Sequence, residues 1–206
     1  IKNEDFFFRK CLTYTFISED MGVRYCPNGF IFDVAGSSVF FEDNEKINVI
    51  LGFLCSKVAK MFLDTMNPTY NIQVGDLKNI PIKEEMYTCI DIKEKIDNLV
   101  RENIEISKRE WDSFEISWDF HSHPLAKRGM KLSEAFKIWE EKMKIDFNKI
   151  KRNEEMLNKI FIELYGLQDE LSESMNDEDI TFRKADVKRE VKSLISYIIA
   201  VSYTHL

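Results

Sequence analysis

Cysteine is scarce in this sequence, and what there is sits poorly for covalent or metal chemistry. Cys11, Cys26, Cys55 and Cys89 are spread widely with no C-x-x-C pair, so neither a zinc ribbon nor a disulfide framework is expected. Reduced, mostly buried thiols follow. An excess of positive charge is also lacking, because 29 Lys and Arg stand against 36 Asp and Glu for a net charge of −7. Proteins that coat nucleic acid nonspecifically depend on many cationic contacts to phosphate, which this balance disfavours. A sequence-specific module inside a larger protein stays open, since other domains can supply the phosphate contacts. No apolar run approaches the roughly 20 residues that span a bilayer, and Ile1 to Lys10 lacks the basic-then-apolar order of a signal peptide. A cytoplasmic address with no membrane partner is the expectation.

Histidine is equally sparse. Asp119, His121 and His123 could share a face in an extended segment, but no fourth ligand accompanies them, so capping or surface roles are expected. His205 is the third histidine and offers no Ser/His/Asp arrangement. No catalytic, cofactor-binding or metal-binding residue is therefore nominated.

What is present is the balance of a folding chain. Of 206 residues, 44% are hydrophobic and 32% charged, which suits a globular protein of one sizeable core or two modest ones. The early segment carries strand signals. Gly22 to Cys26 and Phe30 to Val34 flank Pro27-Asn28-Gly29, a cluster that predicts a β-hairpin. The alternation of Phe30, Phe32 and Val34 predicts one buried face for its second strand. Gly36, Ser37 and Ser38 predict a second turn, leading through Val39 to Phe41 in a small meander.

From Ile47 the period changes. Ile47, Ile50, Leu51, Leu54, Val58, Met61 and Phe62 recur at helical spacing, predicting one amphipathic helix that ends before Pro68. Ile80 to Ile82 predicts a short strand, placed at an edge by Pro81. Beyond residue 88 long charged helices take over. Ile92, Ile96, Leu99 and Val100 mark the first, and a stripe from Leu132 to Leu164, with Gly166 as its C-terminal cap, marks the second. An acidic loop, Ser172 to Asp179, precedes a last helix with Val187, Val191, Leu194 and Ile198 on one face. The fold class is α+β: a small mixed α/β domain over 1–87, then a mainly α-helical C-terminal region over 88–206.

Two sets of residues bear on function. Asn67-Pro68-Thr69-Tyr70 approaches the Asn/Asp-Pro-Pro-Tyr/Phe loop that N6-adenine methyltransferases use to hold a flipped adenine. Thr69 replaces the second proline, an amphipathic helix replaces the buried strand, and no glycine-rich strand-to-helix turn lies upstream for S-adenosylmethionine. A helix-terminating turn is expected instead. The second set consists of Arg24, Tyr25 and Asn28 in the predicted hairpin, Ser37 and Ser38 in the next turn, and Gln73 and Lys78 further on. Arg, Asn and Gln can make bidentate contacts to base edges, and Lys and Ser commonly reach phosphates.

The strings Gly22-Val23-Arg24-Tyr25-Cys26-Pro27-Asn28-Gly29-Phe30 through Ser38 and Asn71-Ile72-Gln73-Val74-Gly75-Asp76-Leu77-Lys78-Asn79-Ile80-Pro81-Ile82 resemble the recognition region of BREX-type PglX adenine methyltransferases. Glu110-Trp111-Asp112-Ser113-Phe114-Glu115, Trp118-Asp119-Phe120 with His123-Pro124-Leu125, and Phe161 to Glu170 resemble the C-terminal part of the same family, in order along nearly the whole chain. The resemblance implies a fragment of a phage-defence enzyme that moves a methyl group from S-adenosylmethionine to adenine N6 in double-stranded DNA. This segment would read the target, would hold no cofactor and would be inactive alone. The helices would brace it or contact other defence proteins. The alternative is a helical scaffold or specificity-type subunit that touches no base. Arg24, Asn28 and Gln73 discriminate: exposed together on one rim they favour the DNA reader, scattered or buried the scaffold. Val201 to Leu206 depart from the family and resemble a translated sequencing adapter, so a non-native tail is expected, and Ile1 at the start suggests a truncated fragment.

Overall fold

The computed structural model describes residues 3–17, 21–33 and 36–204, with backbone only for 201–204. Among them are strands β1 (Cys11–Thr15), β2 (Arg24–Cys26) and β3 (Gly36–Val39), and helices α1 (Ile47–Leu54), α2 (Lys57–Met66), α3 (Val74–Asn79) and α4 (Glu85–Thr88). Three long helices follow: α5 (Ile90–Trp111), α6 (Leu132–Tyr165) and α7 (Val187–Thr204). The class is α+β with a helical C-terminal region. The proposed non-native tail, Val201 to Leu206, has no described side chains.

The sheet departs from the expected hairpin. Its order is β2-β1-β3, both pairs antiparallel, so β2 and β3 each pair with β1 and not with the Phe30 segment. The reason lies in where the turn's hydrogen bonds go. Pro27 has no N–H to donate, and the next residues bond to the segment before β1: Gly29 N donates to Phe8 O at 3.0 Å and Phe8 N to Phe30 O at 2.8 Å. On the face expected to be buried, Phe30 is exposed and Phe32 half-buried, while Val34 lies outside the described residues. Gly36 to Ser38 form the strand β3 in place of a turn, opposite Thr15, Tyr14 and Thr13. A central partner strand overrides the weak strand preference of Gly and Ser.

The expected single helix from Ile47 is two. Ser56 breaks it as the N-cap of α2, its side chain accepting a hydrogen bond from Ala59 N, and α2 ends at Met66, ahead of Pro68. Ile80 to Ile82 form no strand. Asp76 accepts from Gln73 N at 2.7 Å and starts the short helix α3, after which Ile80 is buried without pairing.

Contacts divide the chain along lines other than the segments 1–87 and 88–206. One unit comprises Ile1–Glu102 with Asn153–Ser174, the other Asn103–Arg152 with Met175–Leu206. In the first unit α1 is apolar except at Asn48, whose side chain donates to Asp97 Oδ1 at 2.7 Å, and it is buried at Ile47, Val49, Ile50, Leu51, Phe53 and Leu54, as a helix inside a core must be. Phe53 meets the rings of Phe161 and Tyr165 at 5.4 and 5.5 Å. Gly52 is required by close packing, because a Cβ there would lie 2.8 Å from Val100 Cγ2. Ile96, Val100, Leu157 and Phe161 thus belong with α1, which is why the first parts of α5 and last parts of α6 join this unit.

The second unit gathers Ile106, Leu125, Ala135, Trp139, Met143, Phe147, Ile150, Ile180 and Phe182 around the stripe of α6. Gly166, at φ 71°, stands directly after α6, the backbone conformation that favours glycine at a helix end. The apolar face expected on α7 is only partly buried: Val191 and Leu194 are half-buried, while Val187 and Ile198 are exposed. The buried residue of its first turn is Glu190, whose carboxylate holds Arg189 at 2.6 Å. No described helix is long and apolar enough to cross a membrane.

Candidate nucleic-acid interface

β1 organises the candidate site, and its pairing register sorts the candidate residues. Side chains alternate between the two faces of a strand, and directly opposed residues share a face. Thr13 lies opposite Arg24 on one side and Ser38 on the other, and Cys11 lies opposite Cys26. Arg24 and Ser38 therefore share a face with Cys11, Thr13 and Cys26. Tyr25 and Ser37 project to the reverse face with Leu12 and Tyr14, both buried. Four candidates that looked equivalent in sequence are thus split two and two.

Asn28 follows β2 and is exposed, but its side chain is engaged: Oδ1 accepts from Lys10 N at 2.8 Å and fixes the approach to β1. Gln73 precedes α3 and is exposed, its backbone N–H donating to Asp76 Oδ2 at 2.7 Å, while Lys78 is exposed within α3. Arg24, Asn28 and Gln73 are thus all exposed and all in the first unit. Of these, Arg24 is the one carried on the sheet face beside Thr13 and Ser38.

That face is the floor of a cleft of about 220 Å³, lined by Arg9, Cys11, Thr13, Cys26, Ser38 and Gly36 together with the chain from Phe30 to Asp33 and Phe40. Thr13 Oγ1 donates to Ser37 O at 3.3 Å and Ser38 Oγ to Gly36 O at 3.3 Å, orienting both hydroxyls. Burial, reinforced by the neighbouring Cys11 thiol, pushes the Cys26 thiol up to about 11, so it remains a neutral thiol at physiological pH. Arg9 lies over the rings of Phe6 and Phe40, at 5.2 and 5.9 Å from their centroids. Arg9, Thr13, Phe32 and Phe40 were not among the sequence candidates. The alternation of Leu12 and Tyr14 between Cys11 and Thr15 was the available signal for β1, and with it for Thr13.

Asn67-Pro68-Thr69-Tyr70 ends α2 as a turn. Asn67 Nδ2 donates to Asn71 O at 2.9 Å and to Asp76 Oδ2 at 2.7 Å, and its Oδ1 accepts from Thr69 Oγ1 at 2.6 Å. The asparagine's polar atoms serve local structure. Asp119 accepts from Lys108 Nζ at 2.6 Å, and buried His123 accepts from Leu125 N at 3.1 Å. Among the described residues no group of three His, Cys, Asp or Glu side chains could hold a metal ion.

No family model matches the chain. Over 205 residues it is 37% identical to the adenine-specific methyltransferase PglX of Lacticaseibacillus casei (strain Zhang), a match covering 96% of the chain and 16% of that protein. Over 200 residues it is 28% identical to the adenine-specific methyltransferase BrxX of Escherichia coli O9:H4 (strain HS), covering 92% of the chain and 15% of that protein. The chain spans only this small share of the curated relatives it matches.

Proposed function

The chain belongs to the PglX family of adenine-specific methyltransferases, of which it spans one segment, and from that premise we propose that its three-stranded unit reads the DNA target. Methyl transfer to adenine N6 would then be performed by another part of the longer protein, in a phage-defence setting. The observation that carries this reading is Arg24, exposed on the sheet face that it shares with Thr13 and Ser38. A guanidinium can contact a guanine edge bidentately, and hydroxyls beside it can contact bases or phosphates.

The residues of this chain do not fit S-adenosylmethionine. A phosphate- or nucleotide-type cofactor site of the doubly wound kind needs a glycine-rich strand-to-helix turn, and residues 40–46, which lead from β3 to α1, contain no glycine. The cofactor would therefore be bound by the remainder of the enzyme. The acidic balance of the chain, −7, agrees with a module that specifies sequence while phosphate contacts come mostly from elsewhere.

A second reading, a helical scaffold for partner proteins, draws support from the second unit, where Trp118 is 96% exposed and Ile116 73%. Such exposed apolar side chains, where they join into a contiguous patch, are what a partner protein would cover. The two readings separate in one experiment. Arg24→Ala in a full-length family enzyme containing this segment is expected to relax or change which sites are methylated, with a loss of roughly 1–3 kcal/mol in discrimination at one base pair. Unchanged site choice, read by sequencing of methylated adenines, would move recognition away from the sheet and favour the scaffold.

A further inference from the structure

The outward side of β1 does not end with the strand. Leu12 and Tyr14 are buried and Phe16 is half-buried, while Thr15 and Ile17 are exposed. The alternation that places Thr13 with Arg24 therefore runs on for two more outward residues. At Ile17 a second segment arrives, because Ile17 and Asn71 form an isolated antiparallel bridge. Ile72 N donates to Phe16 O at 2.9 Å, which makes Ile17 and Asn71 a pair of the non-hydrogen-bonded kind, whose side chains lie closest together on one face. Ile72 is buried and Asn71 exposed, so that face is the outward one. Ile17, 66% exposed, and Asn71 continue the surface of Arg24 with an apolar side chain beside an amide.

The backbone of Asn71 is fixed and its side chain is left over. Asn71 N donates to Thr69 Oγ1 at 3.4 Å and Asn71 O accepts from Asn67 Nδ2 at 2.9 Å, but among the described residues the side-chain amide makes no hydrogen bond. The amides of Asn28 and Asn67, by contrast, are spent on local structure. A side-chain amide offers a donor and an acceptor side by side. Adenine presents the matching pair in the major groove, N6–H and N7, whereas guanine N7 and O6 both accept and would oppose the amide oxygen. Thymine, on the other strand of the same pair, carries a methyl group that an apolar neighbour fits. We infer that Asn71 and Ile17 read one A·T base pair of the target, Asn71 at the adenine edge and Ile17 at the thymine methyl. The inference rests on the DNA-reading role proposed above. Ile17 follows Thr13, the partner of Arg24, by four residues, a span of at most about 14 Å. Neighbouring strands add about 4.8 Å to either side, and DNA rises about 3.4 Å per base pair. The positions read by Arg24 and by Asn71 therefore lie within about five base pairs of each other.

The test maps methylated adenines made by a full-length family enzyme containing this segment, with substitutions at Asn71, Ile17 and Arg24. Asn71→Ala is expected to lower the preference for A·T at one position by about tenfold, with methylation of the original site retained. Ile17→Ala should weaken the same position, and Arg24→Ala a different one within about five base pairs. Asn71→Gln keeps the donor and the acceptor and should keep the preference. Asn71→Asp, an acceptor only, should move it towards cytosine, whose N4 amine donates. A purely structural role for Asn71 would produce no such change of base. Site choice unchanged by Asn71→Ala and Asn71→Asp, or a uniform fall in methylation at every site, would overturn the assignment. If Arg24→Ala still relaxed its own position, the DNA-reading role would stand without Asn71. If Arg24→Ala changed nothing either, both would fall.

Discussion

The two units of this chain bury their apolar residues in different ways. In the first, α1 is enclosed on almost every side, and Phe53 and Phe161 are fully buried. In the second, the core is a single stripe along α6, with Trp139, Met143, Phe147 and Ile150 inside, while Ile138 and Ile145 on the same helix are each 57% exposed. Apart from buried Glu190, the ion pairs of this unit lie near the surface. Lys151 and Lys184 hold the Asp177 carboxyl down to about 2, yet the group is exposed and such pairs stabilise little. The difference teaches that helical periodicity reveals a buried face without revealing whether the opposite face is covered.

The largest expected effect tests how independent these cores are. Phe53→Ala removes a fully buried ring packed on Phe161 and Tyr165, which costs about 3–5 kcal/mol. Amide exchange should accelerate in β1 and α1 and stay slow around Trp139 and Met143. Equal loss of protection in both regions would break the comparison.

Gly52→Ala comes next and sets two effects against each other. Helix propensity favours alanine by about 1 kcal/mol, but the new Cβ would lie 2.8 Å from Val100 Cγ2, and overpacking of this kind costs about 1–3 kcal/mol. Net destabilisation by denaturant titration is expected. A more stable variant would show that α5 can yield at this point.

Glu154 supplies a pH-dependent test of the first unit. Burial raises its carboxyl from the usual 4.5 to about 7, so the native state binds the proton more tightly than the unfolded chain. The associated stability is complete below about pH 4.5 and is lost as pH rises through about 7. Glu154→Gln should therefore stabilise the protein at pH 8, by at most about 2–3 kcal/mol, and change little at pH 4. Calorimetry across that range checks it, and a pH-independent difference would exclude burial of the charge as the cause.

The smallest effect is expected at Trp118, which is almost wholly exposed in the second unit. Trp118→Ser should alter the melting free energy by less than about 0.5 kcal/mol. A larger loss would mean that this side chain is covered, and would narrow the contrast between the units.

Much of the helical architecture was legible from sequence because long periodic stripes are local signals. Leu132 to Leu164 with Gly166, the end of α2 before Pro68, and the face of Ile96 and Val100 could all be read directly. Where the expectation failed, the deciding interactions were between segments distant in sequence. Pro27-Asn28-Gly29 has hairpin composition, but its hydrogen bonds go to Phe8 and Lys10. Gly36 to Ser38 look like a turn, but Tyr14 and its neighbours take them as a strand. Of the candidate site, Arg24 and Ser38 were legible by chemical type. Their shared face was not, because it depends on the register of a strand, β1, whose place at the centre of the sheet nothing local announces.

By itself, then, the sequence determined the α+β class, the three long helices, the turn at Asn67 and the family resemblance, since each resides in residue types and spacings along the chain. Tertiary structure alone decided which residues face one another. It placed Thr13 between Arg24 and Ser38, sent Tyr25 and Ser37 to the reverse side, and gathered Arg9, Phe32 and Phe40 around one cleft. The physical reason is that side chains in a strand alternate every residue, so a shift of register by one would exchange the two faces, and register is set by partners far away in the chain.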